Sequence, residues 1–114
     1  MEVTIHGERM LVNDKLVFIE EGRSKHEKEL LGAHAVLDEA MKTQDMNIKI
    51  SVTSNMVADY LDKGRLRGSR AKAGEPIKFK NPVFKKYVPI ILSLKELFNK
   101  FEVNHNKGGI NETL

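Results

Sequence analysis

The stretch from Glu29 to Val57, ELLGAHAVLDEAMKTQDMNIKISVTSNMV, holds the change of hydrophobic period on which the fold turns. Just upstream, Ser24 and Glu27 have the spacing of a capping box. Leu30, Leu31, Ala33, Leu37, Ala40 and Met41 then recur at helical intervals, which predicts a helix from about Lys25 to Lys42. From Ile48 the period drops to two. Ile48, Ile50 and Val52 alternate with Asn47, Lys49 and Ser51, as in a strand with one face toward that helix. Thr53 or Ser54 can then cap a short helix through Met56, Val57, Tyr60 and Leu61, with Gly64 as its stop signal.

Working outward, Val3 and Ile5 alternate with polar residues, Gly7 breaks the run, and Asn13-Asp14 separates Met10-Leu11-Val12 from Leu16-Val17-Phe18-Ile19. A hairpin or a three-strand meander is expected from Met1 to Glu20. On the other side, Gly68, Gly74 and Pro76 mark residues 65 to 81 as a loop. Pro82 suits the first position of a helix carrying Val83, Tyr87, Ile90, Ile91, Leu94, Leu97 and Phe98, with Pro89 expected to kink or divide it. Phe101 to Val103 can form a last strand. Strands, helix, strand, helix, helix and strand is the order of an α/β protein with a mixed sheet, because parallel crossovers need helices between strands.

A chain of 114 residues with 40% apolar content suits a single domain over 1–114 with a modest core. There is no cysteine, which excludes disulfides, thiolate metal sites and cysteine nucleophiles. No apolar run approaches the roughly 18 to 20 residues of a membrane span, and the N-terminus does not read as a secretory signal. The expectation is a cytoplasmic protein with no membrane contact.

A net charge of +3 is only mildly basic, but its distribution is uneven. Lys63, Arg65, Arg67, Arg70, Lys72, Lys78, Lys80, Lys85 and Lys86 are opposed only by Glu75 in their segment, and the rest of the chain is net acidic. Cations flanked by glycine can follow a phosphate backbone and release its counterions whatever the base sequence, although the same composition also describes a solvated loop. Base stacking has little support, since there is no tryptophan and Phe79 is the loop's one aromatic residue. His6, His26 and His34 show no paired ligand spacing for zinc.

Several segments together resemble the ribonuclease H family in order and spacing, over roughly Glu20 to Leu114. Glu29-Leu30-Leu31-Gly32-Ala33-His34-Ala35-Val36-Leu37 is similar to the family's ELxAAxxAL, whose glutamate is a metal ligand. Thr53-Ser54-Asn55-Met56-Val57 follows the next strand where the family has TDSxxV, so Thr53 falls at the position of the second metal-binding aspartate. Pro76-Ile77-Lys78-Phe79-Lys80-Asn81 resembles PVKN with one residue extra. His105, Gly108, Gly109, Asn111 and Glu112 resemble the late glycine-histidine loop and NExxD, and the chain stops before that motif's aspartate. For the first aspartate, Val3-Thr4-Ile5-His6-Gly7-Glu8 can be aligned so that Glu8 takes the ligand position. Alternatively Met1 begins within the family's second strand. The resemblance implies a ribonuclease H-like mixed sheet with an N-terminal antiparallel hairpin or meander and flanking helices, lacking the family's last helix and, in the second alignment, its first strand.

The missing aspartates matter through charge. Two magnesium ions about 4 Å apart repel strongly, and several carboxylates must offset that repulsion before the pair can bracket a phosphate. Thr53 brings no charge, and Glu29 and Glu8 are the remnants. Each 1.36 kcal/mol of lost transition-state stabilisation is about tenfold in rate, so the resemblance implies a relative without competent catalysis and without a cofactor. Glu29 also reads as an ordinary first-turn helix residue, Thr53 and Ser54 as caps rather than substrate contacts, and His105 as a surface histidine rather than an aid to product release.

Three functions remain in play. The first is a catalytically degenerate ribonuclease H-like domain binding nucleic acid through Arg65, Arg67, Arg70, Lys72, Lys78 and Lys80. The second is a protein-interaction or inhibitor module, using an exposed sheet edge or the truncated end to hold a protein partner or a second copy as a homo-oligomer. The third is an active ribonuclease with Mg2+ held by rearranged carboxylates, Glu8, Glu29 and another acid such as Asp59.

Overall fold

The computed structural model of the chain describes residues 1–63 and 81–105. Three short strands open it: β1 (Glu2–His6), β2 (Arg9–Val12) and β3 (Lys15–Phe18), each antiparallel to the next. Of the two readings of this region, the meander is the one formed. Asn13 and Asp14 both have positive φ, 50° and 70°, the backbone of a two-residue hairpin turn whose twist matches that of its strands.

Helix α1 (Lys25–Thr43) starts at Ser24, whose Oγ accepts from the Glu27 N–H at 3.2 Å. It ends at Gln44, which takes the left-handed conformation at φ 59° and donates its N–H to the Ala40 and Met41 carbonyls. Strand β4 (Asn47–Val52) follows and pairs parallel to β1. Then come α2 (Asn55–Lys63), α3 (Pro82–Lys95) and β5 (Lys100–His105), which is parallel to β4. The five-stranded sheet has the order β3-β2-β1-β4-β5.

Both parallel crossovers, β1 to β4 and β4 to β5, step in the same direction across the sheet. Right-handed connections therefore bring their helices to the same face. The burial pattern agrees: Val3, Ile5, Met10, Ile48, Ile50 and Val52 are buried beneath the helices, while Glu2, Lys49, Lys100 and Glu102 on the opposite face are exposed. Leu30, Ala33, Val36, Leu37 and Ala40 of α1 and Phe84, Val88 and Ile91 of α3 complete the core. Gly32 packs closely on Ile19: an added Cβ would stand 2.5 Å from Ile19 Cδ1, so that side chain would have to shift.

Three local expectations are corrected. Helix α3 begins at Pro82 as predicted, with Asn81 Oδ1 accepting from the Val83 N–H at 2.8 Å, and of the two effects expected of Pro89, a kink or a division, division does not occur. It also stops at Lys95, so Leu97 lies outside it and is 56% exposed, and Ile90 is 39% exposed, because the buried stripe passes through Phe84, Val88 and Ile91 instead. At the end of α2, Lys95 Nζ donates to the Leu61 and Asp62 carbonyls, a long-range partner that no local pattern announces. The Gly64 stop signal, the loop from 65 to 80 and the segment from 106 onward lie outside the described residues. Among those described, no helix is long and apolar enough to cross a membrane.

Candidate functional site

Open α/β sheets present ligands at the carboxyl ends of their parallel strands, because helix N-termini and loop amides converge there. In this chain β1, β4 and β5 end at His6, Val52 and His105, and the polar groups gathered beside them centre on Glu29.

Glu29 lies one turn into α1 and is fully buried. Its Oε1 accepts the N–H of Thr53 at 2.7 Å and of Ser54 at 3.0 Å. Its Oε2 accepts the Thr53 hydroxyl at 2.8 Å and the Gly7 N–H at 3.3 Å. A carboxylate offers about four lone-pair sites, and all are taken by protein donors. One side chain thereby ties α1 to the β4–α2 turn and to the β1–β2 turn. Without it, the first amides of the β4–α2 turn would be orphaned in the interior.

Ser54, 2% exposed, is the true cap of α2, its Oγ accepting from the Val57 N–H at 3.2 Å. The same Oγ shares a short hydrogen bond with His26 Nδ1. Serine beside histidine is the composition of a nucleophile and its base, but this hydroxyl is shielded from solvent and already serves the helix. His105 Nε2 donates to the Thr53 carbonyl at 3.0 Å. It belongs to the site, yet as an exposed clasp on β5.

The three named acids, Glu8, Glu29 and Asp59, do not form one group. Glu8 is exposed in the β1–β2 turn, where its carbonyl accepts from the Ile19 N–H, and Asp59 is buried on α2. Among the described residues no three histidine or carboxylate side chains are grouped as a metal site requires. Arg65, Arg67, Arg70, Lys72, Lys78 and Lys80 all lie outside the described residues, while Lys85 and Lys86 are exposed on the first turns of α3.

Sequence reasoning picked out Glu29, Thr53, Ser54 and His105, which the fold gathers at one place. It missed Gly7 and His26, 22 and 28 residues away from their partners in the chain. The one available signal for Gly7 is its break in the β alternation, which the structure explains by a left-handed φ of 60° that turns its N–H toward Glu29.

No family model, curated protein or solved structure matches this chain.

Proposed function

We propose that this chain is a ribonuclease H-like domain without competent catalysis that binds nucleic acid through Arg65, Arg67, Arg70, Lys72, Lys78 and Lys80. The observation that carries the non-catalytic half is the saturation of Glu29. Every lone pair that a magnesium ion would need is committed to an internal donor, and one of those donors is the Thr53 hydroxyl, where the resemblance calls for a second carboxylate. A pair of carboxylates needs a cation or a shared proton between them; a carboxylate with a hydroxyl does not. The mixed sheet, with its antiparallel meander followed by two helix-covered parallel crossovers, supports the same reading.

Nucleic-acid binding is supported by the concentration of cations between Lys63 and Lys86 and by the exposure of Lys85 and Lys86 at the far end of that run. The test is an anisotropy titration of the whole chain against single-stranded, duplex and hybrid oligonucleotides at several salt concentrations. If all six cations neutralise phosphates, log K falls with log salt at a slope of about −4 to −5, and Arg65→Ala, Arg67→Ala and Arg70→Ala together shorten that slope by about 2 to 3. Absence of binding at low salt overturns the binding half. Magnesium-dependent cleavage of the hybrid overturns the catalytic half.

A further inference from the structure

We infer that strand β3 is a self-pairing edge, through which two copies of this chain join antiparallel into one continuous sheet. Among the described residues β3 and β5 are the two edge strands of the sheet, and they are built differently. On β5 the exposed positions are Lys100, Glu102, Asn104 and His105, with Lys100 and Glu102 ion-paired at 3.2 Å, and charges of this kind discourage a further strand. On β3 all four residues are exposed, and after Lys15 they are apolar: Leu16 at 40%, Val17 at 37% and Phe18 at 59%. The strand holds no proline, and its register with β2 runs without a bulge.

The phase of the ladder shows which groups this edge offers. Ile19 donates its N–H to the Glu8 carbonyl at 2.6 Å. Hydrogen-bonded pairs alternate along antiparallel strands, so Met10 with Val17 and Val12 with Lys15 are the bonded pairs between β2 and β3. Leu16 and Phe18 therefore turn their N–H and C=O groups away from β2. Among the described residues no strand lies beyond them.

A second copy is the occupant that fits those groups. With a two-fold axis at Val17, Leu16 stands opposite Phe18 of the second copy and Phe18 opposite its Leu16, so each outward amide and carbonyl meets one of opposite sense. Directly opposed side chains share a face. Leu16 and Phe18 would then cluster with their counterparts beside Leu11 on the face opposite the described helices, and Val17 would meet its counterpart on the face those helices cover. Charge agrees with the direction: Lys15 at the start of one strand arrives where Glu20 and Glu21 follow the other, and symmetry repeats the match. A slip of one residue would oppose side chains on different faces, and a slip of two would leave either Leu16 or Phe18 with no β3 residue of the second copy opposite it.

Sedimentation velocity on the whole chain tests this, with hydrogen exchange read residue by residue at high and low concentration. The expected result is a species of twice 13.0 kDa that dissociates on dilution. In it the Leu16 and Phe18 amides are protected only when dimeric, whereas the Val17 amide is protected in both states. Leu16→Lys and Phe18→Lys are each expected to give a folded monomer by circular dichroism. Lys15→Glu should weaken the dimer at least tenfold, and combining it with Glu20→Lys and Glu21→Lys should restore it. A chain that stays monomeric at several hundred micromolar overturns the inference. So does a dimer that survives both lysine variants or leaves the Leu16 and Phe18 amides exchanging freely.

Discussion

Replacing Glu29 by glutamine separates two readings of the same carboxylate, because they give opposite signs. If Glu29 were one of several acids awaiting a cation, neutralising it would relieve repulsion and raise stability in the absence of metal. As an acceptor hub it must do the reverse. Glutamine keeps one oxygen and turns the other into a donor. The less costly orientation keeps oxygen toward the Thr53 and Ser54 amides and sets the new NH2 toward the Thr53 hydroxyl, which can rotate to accept, and toward the Gly7 N–H, which cannot. The Gly7 bond at 3.3 Å is lost, and the two amide bonds fall from charge-assisted strength, about 1.5–3 kcal/mol each, to about 1 kcal/mol. With about 1 kcal/mol for the Gly7 bond, the sum is a destabilisation of about 2–5 kcal/mol, a large part of the roughly 5–15 kcal/mol available to a domain. Urea unfolding followed by circular dichroism in EDTA measures it as a lowered midpoint with unchanged slope. At about 4 °C per kcal/mol for this size, the melting temperature should fall by roughly 8–20 °C. A Glu29→Gln protein as stable as the parent, or more stable, refutes the reasoning.

Three further outcomes follow from the same contacts. Thr53→Asp sets a second carboxylate where the hydroxyl now meets Glu29 at 2.8 Å, and should cost about 3 kcal/mol in EDTA; magnesium should recover part of that loss in a thermal melt, since a cation binding only the folded state stabilises it. Lys95→Met leaves the Leu61 and Asp62 carbonyls at the end of α2 without their cation, and urea unfolding should register about 1–2 kcal/mol. Burial raises the Tyr60 hydroxyl above its usual 10.0, so the folded state holds this proton more tightly than the unfolded chain. Its contribution is complete below pH 10 and declines as pH rises through the raised value, and stability measured from pH 9 to 11 should fall less steeply in Tyr60→Phe than in the parent.

Much of the site's location was legible in the chain. Glu29 stands out because it heads an apolar helical stripe, and Thr53-Ser54 because they close an alternating strand, so the residues themselves name two of the three segments that meet. What they do together was not legible. Whether Glu29 holds a cation or amides depends on which donors converge on it, and Gly7 and His26 reach the site only through the order in which β1, α1 and β4 are packed. The misplaced exposure of Ile90 and Leu97 has a similar source: α3 is apolar enough on several sides that periodicity alone does not select the stripe that meets α1 and Tyr60.

The amino-acid order by itself determined the elements and their ends: the helix from Ser24, the turn at Asn13-Asp14, the start of α3 at Asn81-Pro82 and the alternation of β4. These are set by contacts a few residues apart, which side-chain periodicity and capping chemistry record directly. Only the tertiary structure decided that all the helices among the described residues lie on one face, that β3 is left as an apolar edge and that four donors fill the Glu29 carboxylate. Those outcomes depend on strands and turns brought together from distant parts of the chain, and hydrogen bonds between them leave no periodic trace in the sequence.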